Sequence, residues 1–204
     1  MGNLHEKSKT LYTNDLFKSH MNQIKINYGF EVLLLLLKRR MHGRELAKEL
    51  KTSLTRVQAI LNELRELNVL DYKTEGRNHV YFIKRNMVAK AYVLNAENYK
   101  LAKMLRKYTF LEPLFKDVAD KCPDKMIVLF GSYARFIPKE DSDIDIYIYT
   151  TDKTIKMAVN NINEKISAKI GEFNKEDLLI QEIIKNHIII QGGENFYEKL
   201  GFFK

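Results

Sequence analysis

The chain carries one cysteine, no tryptophan and three prolines in 204 residues. A single thiol, Cys122, excludes an internal disulfide and cannot build a zinc site alone. Long apolar runs are missing too. The most apolar stretch, FEVLLLLLK at 30–38, falls far below the roughly 20 residues of a membrane-spanning helix, and it runs into KRRMHGR. It reads as a buried helix, and no membrane partner is expected. The first residues lack a charged stretch leading into an apolar segment and cleavage site, so no signal peptide is expected. A soluble cytoplasmic protein is the expectation. Internal repeats and low-complexity tracts are missing as well. With 45% apolar and 29% charged residues, the composition excludes global disorder.

Acidic residues are scarce in one half only. Residues 1–90 hold 17 Lys and Arg against 9 Asp and Glu, whereas residues 91–204 hold 17 against 17. The entire net charge of +8 therefore sits in the first half. Such asymmetry points to a polyanion-binding N-terminal module joined to a part with another job. A merely solvated basic surface is the alternative.

Residues 1–25 form a polar N-terminal extension with scattered Leu11, Tyr12, Leu16 and Phe17, compatible with a frayed end or a short docking helix. Over 26–86 the pattern sharpens. GFEVLLLLLKRR is helix-length and apolar, and GRELAKEL places Leu46, Ala47 and Leu50 on one helical face. Thr52 and Ser53 offer N-cap oxygens to a third helix over 53–67. Its apolar stripe is Leu54, Val57, Ile60, Leu61, Leu64 and Leu67, with Thr55, Arg56, Gln58, Ala59 and Asn62 facing outward. VLDYKTEGRNHVYFIK at 69–84 then reads as two short strands around a Glu-Gly-Arg-Asn turn, where Gly76 suits a positive φ.

Three helices and a hairpin in this order resemble the winged helix-turn-helix DNA-binding domains of bacterial and archaeal regulators. The resemblance implies double-stranded DNA as a partner. Ser53, Thr55, Arg56, Gln58 and Asn62 of the recognition helix would meet the major groove, and Arg77 and Asn78 would meet the backbone or minor groove at the wing tip. A winged helix used only for protein contacts or dimerisation is the other reading.

Residues 87–110 read as a helical linker, with helix continuing to about 121 and interrupted by Pro113. The remaining 111–204 form a second module. Its chemistry lies in LFGSYARFIPKEDSDIDIYIY, residues 129–149. A buried strand over 126–130 breaks at Gly131-Ser132, where glycine allows backbone to approach a ligand. A helix start supplies free N–H groups that suit a phosphate. Ser132 adds a hydroxyl, and Arg135 adds a cation one turn on. Asp143 and Asp145, two apart on the next strand, point to one face about 7 Å apart along the chain, while Ile144, Ile146 and Ile148 point to the other. Two carboxylates that close repel each other unless the face is wet or a cation belongs there.

Gly131-Ser132, followed after ten residues by Asp143-x-Asp145, resembles the signature of the DNA polymerase β nucleotidyltransferase superfamily, and most of all the minimal nucleotidyltransferases of archaea and bacteria. The likeness covers roughly 110–204. It implies a small mixed β-sheet flanked by helices, making the whole chain α+β. It further implies Asp143 and Asp145 as catalytic metal ligands for two Mg²⁺ ions. Gly131, Ser132, Arg135 and Ser142 would grip a nucleoside triphosphate, with ATP the expected one. Two such ions stabilise the attacking and leaving oxygens of an in-line transfer.

The sequence departs from that pattern twice. Phe136 stands where the superfamily usually has glycine. The strand expected to carry a third carboxylate, EKISAKIGEF at 164–173, turns Ile166, Ala168 and Ile170 inward and leaves Ser167, Lys169 and Gly171 opposite. Glu164 and Glu172 lie only at its ends. Two functions follow. One is a Mg²⁺-dependent nucleotidyltransferase that transfers a nucleoside monophosphate to an acceptor hydroxyl. The acceptor could be a protein partner in the manner of antitoxins, a nucleic-acid end or a small molecule, and the winged helix would bind DNA. The other is a DNA-binding transcriptional regulator, working as a homodimer, whose transferase domain binds nucleotide but is catalytically weak or inactive. The C-terminal LLIQEIIKNHIIIQGGENFYEKLGFF reads as helix, short apolar strand or helix, Gly-Gly turn and aromatic helix, with His187 packed or at the surface rather than ligating.

Overall fold

The computed structural model describes residues 27–204, so the extension at 1–25 and its docking-helix expectation lie outside the described residues. Helix α1 (Tyr28–Lys38) buries Val32, Leu33 and Leu36. The Asn27 side chain caps it by accepting from the Phe30 N–H at 3.1 Å, satisfying one of the free donors of a first turn. After β1 (Met41–His42) and α2 (Gly43–Glu49) comes α3 (Leu54–Glu66), capped by Ser53. Strands β2 (Leu70–Glu75) and β3 (Asn78–Ile83) form the wing. Gly76 takes φ +60° at the first of the two turn positions, where a two-residue hairpin favours glycine.

The three strands make an antiparallel sheet in the order β1-β3-β2. Three helices backed by this sheet are a winged helix. The strand β1, pairing Met41 with Tyr81, was not foreseen, because two residues are too few to show a periodicity. Within α3 the expected stripe holds with one correction. Val57, Leu61 and Leu64 are buried, but Leu67 is 41% exposed, because the helix ends at Glu66 and Leu67 has become its C-cap.

Helix α4 (Met87–Lys107) and helix α5 (Leu111–Lys121) follow. Pro113 does not interrupt them. It sits in the first turn of α5, where a missing N–H costs nothing, and the break falls at Tyr108–Phe110. Then come β4 (Ile127–Leu129), the single turn α6 (Gly131–Ala134), β5 (Ile144–Tyr149), α7 (Lys153–Asn160) and β6 (Ile166–Gly171). The chain closes with α8 (Leu178–Lys185), β7 (Ile188–Gln191) and α9 (Gly193–Leu200).

The second sheet runs β6-β5-β4-β7. β5 and β6 are parallel, joined by the crossover helix α7 as parallel pairs require, and β4 is antiparallel to both β5 and β7. It is the small mixed sheet expected, and the chain is α+β.

The two faces of this sheet lead to different cores. Leu129, Ile144, Ile146 and Ile148 pack with Leu111, Phe115 and Val118 of α5 and Val159 of α7. On the other face Met126, Val128 and Tyr147 meet Ile180 and Ile183 of α8 and Phe196 of α9. That core continues without a break through Ala89, Val93 and Ala96 of α4 into Val32, Leu33 and Leu36 of the winged helix. Helix α4 is thus a shared wall between the modules. The Tyr99 hydroxyl donates to Glu31 of α1 at 2.8 Å, and Lys103 pairs with the same carboxylate.

Candidate functional site

The end of the mixed sheet brings Gly131, Asp143 and Asp145 together. β4 pairs with β5 through Leu129 and Ile146, and the Phe130 N–H donates to the Asp145 carbonyl at 2.9 Å. This clamps the Gly131-Ser132 turn against the start of β5. Gly131 has φ +69°, and a Cβ there would overlap the Asp145 carboxylate, lying 3.1 Å from its Cγ. Glycine is therefore required twice, for its backbone angle and for the approach of the carboxylate. Ser132 follows at the open end, where its carbonyl accepts from the Ile137 N–H at 3.1 Å. Arg135 is exposed at the C-cap of α6.

The two carboxylates make no hydrogen bond or ion pair with any described residue through their side chains. Asp145 is half-buried, and its pKa is raised by that burial and by the like charge of Asp143. Lys169 opposes the shift and Glu182 of α8 adds to it. An uncompensated carboxylate pair of this kind fits Mg²⁺, which takes one or two carboxylates and completes its shell with water and phosphate oxygens. Among the described residues, no group of three or more His, Cys, Asp and Glu converges on one point, so the pair is a two-carboxylate site.

The parallel register of β5 and β6 puts Ser167 beside Asp145 and Lys169 beside Tyr147. A cation therefore stands on the strand where the superfamily pattern implies an acid. Glu172 lies beyond Gly171, the partner of Tyr149, roughly 16 Å up the strand from the level of Asp145 at about 3.3 Å per residue. It accepts from the Tyr149 hydroxyl at 2.9 Å, and that hydroxyl in turn accepts from Lys199 at 2.7 Å. Glu164 is exposed ahead of β6. Ser142 braces the loop, its hydroxyl accepting from the Lys139 N–H at 2.8 Å. Phe136 adopts φ +62°, a left-handed angle that costs a non-glycine residue about 1–2 kcal/mol. Its carbonyl accepts from Lys107 Nζ at 3.1 Å, which ties the turn to the end of α4. Strand alternation already placed Lys169 on this face. Glu182, brought in by tertiary packing, left no local signal.

On the winged helix, Ser53, Thr55, Arg56, Gln58 and Asn62 are all exposed, as are Arg77 and Asn78. The Ser53 hydroxyl accepts from the Arg56 N–H at 3.2 Å, and the Arg56 guanidinium lies 5.1 Å from the Tyr28 ring centroid. Gln58 shares a groove of about 330 Å³ with Arg77 and Asn78, and Arg44 joins them. Helix α3 and the wing therefore face one concavity. Arg65, outside the expected set, stacks on Tyr72 at 4.5 Å.

Residues 117–199 match the family described as Polymerase beta, Nucleotidyltransferase. No curated protein matches the chain. Among solved structures, the adhesin competence repressor of Streptococcus pyogenes is 24% identical, with 54% of this chain and 81% of that one covered at a TM-score of 0.37. A variant of ZitR from Lactococcus lactis is 16% identical, covering 60% of this chain and 88% of its own at 0.39. A toxin–antitoxin structure with AMP-PNP is 21% identical, covering 52% and 86% at 0.31.

Proposed function

We propose that the second module is a Mg²⁺-dependent nucleotidyltransferase that moves a nucleoside monophosphate from a triphosphate, ATP first, to an acceptor hydroxyl, and that the winged helix binds double-stranded DNA. The observation that carries the reading is the unpartnered pair Asp143 and Asp145 against the Gly131-Ser132 turn, within the stretch that matches the transferase family. Asp143 and Asp145 would hold the divalent ions. When bound, these ions neutralise charge on the attacking and leaving oxygens. The chain's own work is positioning. The Gly131 backbone lets a phosphate approach, the Ser132 hydroxyl donates to it, and Arg135 reaches it from the open side. A protein acceptor and a homodimer on the operator complete the proposal.

A second reading is favoured by Lys169 and by the engagement of Glu172 with Tyr149. Without a positioned general base, transfer slows by about 10²–10⁴. The chain would then be a DNA-binding regulator whose transferase module binds nucleotide without turnover. Incubating the full chain and its co-expressed partners with α-³²P triphosphates and Mg²⁺ separates the two. Labelled acceptor supports the enzyme. A thermal shift with Mg²⁺-ATP but no label leaves the regulator, and no shift with any triphosphate removes both. For the winged helix, Arg56→Glu with Arg77→Glu should weaken duplex binding and flatten its salt dependence. If wild type fails to bind duplex at low salt, the DNA half falls.

A further inference from the structure

We propose that a pocket between the winged helix and the transferase module binds a small organic anion with an apolar body and a hydrogen-bond-donating end. The cavity measures about 380 Å³, within the range of small-molecule sites. Leu34 and Leu37 of α1 and Phe202 give it apolar walls, while Lys38, Lys100 and Lys185 bring three cations to it. It shares no lining residue with the Gly131–Asp145 cradle, so the proposal stands whether or not that cradle transfers nucleotides.

The acid at its base is Glu97, which is 3% exposed. Its Oε1 accepts from the Tyr197 hydroxyl at 2.8 Å and faces His187 Nε2 at 3.3 Å. Its Oε2 has only Lys100, with Nζ at 3.8 Å, too far for a hydrogen bond. Among the described residues, that oxygen is the one buried side-chain nitrogen or oxygen without a hydrogen-bond partner. A group left so is costly unless a donor reaches it.

The cations are unbalanced in the same place. Lys38 and Lys185 are exposed and form no ion pair with any described residue. Lys100 has a side chain only 17% exposed. Its burial pushes its pKa down despite the pull of Glu97, and the charges of Lys38 and Lys103 push it further. An anion beside Lys100 opposes that repulsion, while a donor on the same molecule meets Glu97 Oε2. Since α1 supplies one wall and α8 supplies Lys185, an occupant touches both modules.

The probe is 8-anilinonaphthalene-1-sulfonate, which combines a sulfonate, an aromatic body and an N–H donor. Titrated into the native full chain, it should bind saturably at one site. Lys100→Met should weaken it by about tenfold. Lys38→Ala and Lys185→Ala, at exposed positions on which folding does not depend, should each weaken it by about threefold. Asp143→Asn with Asp145→Asn, or added Mg²⁺-ATP, should leave binding unchanged. The proposal is overturned if native wild type does not bind the probe, or if Lys38→Ala and Lys185→Ala leave the affinity intact. Loss of binding in the double Asp variant, or displacement by Mg²⁺-ATP, also overturns it by assigning the probe to the cradle.

Discussion

Two acidic sites lie on the same side of the mixed sheet, and the chain treats them oppositely. Glu97 is almost fully buried, yet Lys100, His187 and Tyr197 surround it. Burial alone would raise its pKa, but these partners outweigh burial and hold it down to about 2. Asp145 is half-buried and its pKa goes up, first because that burial disfavours its charge and then because Asp143 repels it, with no donor within the fold to answer. The fold surrounds Glu97 with donors and cations and leaves only its Oε2 without a hydrogen bond. Asp145 is left short of them, at some cost in stability, which makes it a candidate for a ligand.

The sharpest way to break this contrast is to neutralise the pair. Asp143→Asn with Asp145→Asn should reduce label transfer from an α-³²P triphosphate by about 10³-fold or more. The thermal stabilisation by Mg²⁺-ATP should vanish in the same variant. A double variant that keeps the Mg²⁺-ATP shift would show that these carboxylates are not ligands, and the contrast would reduce to one of exposure.

The mirror experiment is Glu97→Gln. Removing one partner of a buried charged cluster leaves the other uncompensated, and urea unfolding at pH 7 should show a loss of about 3 kcal/mol. The pH dependence has a definite sign. The folded carboxylate sits at about 2 against an ordinary 4.5, so the unfolded chain binds more protons between those values. Wild type thus holds the full contribution above about pH 4.5 and loses it as the pH falls toward about 2. The gap between wild type and Glu97→Gln should close over that window. A gap constant from pH 7 to pH 3 would mean that Glu97 acts by shape rather than charge.

The two sites also differ in how far the sequence exposed them. Asp143 and Asp145 were legible because strand alternation, a Gly-Ser break and a fixed spacing all fall within a stretch of 21 residues. The outer face of α3 was legible for the same reason, since the exposed Thr55, Arg56, Gln58 and Asn62 follow from helical period alone. Glu97 was not. Its partners His187 and Tyr197 lie 90 and 100 residues away, and no local pattern announces a contact of that range. The departure at Phe136 was visible, but its meaning needed the backbone. The residue holds the left-handed angle that explains why glycine is the usual occupant. The missing third acid was visible as well, and the register added that Ser167 stands level with Asp145 and Lys169 level with Tyr147.

The smallest effect tests the contrast where it is most delicate. Asp145→Asn alone, in metal-free buffer at pH 7, should stabilise the fold, opposite in sign to Glu97→Gln. The gain should be at most about 1 kcal/mol, because an exposed Asp143 and a half-buried Asp145 are screened by water and Lys169 already offsets part of the repulsion. High salt should shrink it, since screening weakens the Asp143–Asp145 repulsion in wild type. With saturating Mg²⁺ the sign should reverse, because wild type then gains a ligand that the variant holds poorly. Measured melting temperatures in the two buffers decide the matter. A variant less stable than wild type in both would mean that Asp145 is needed by the fold, as Glu97 is.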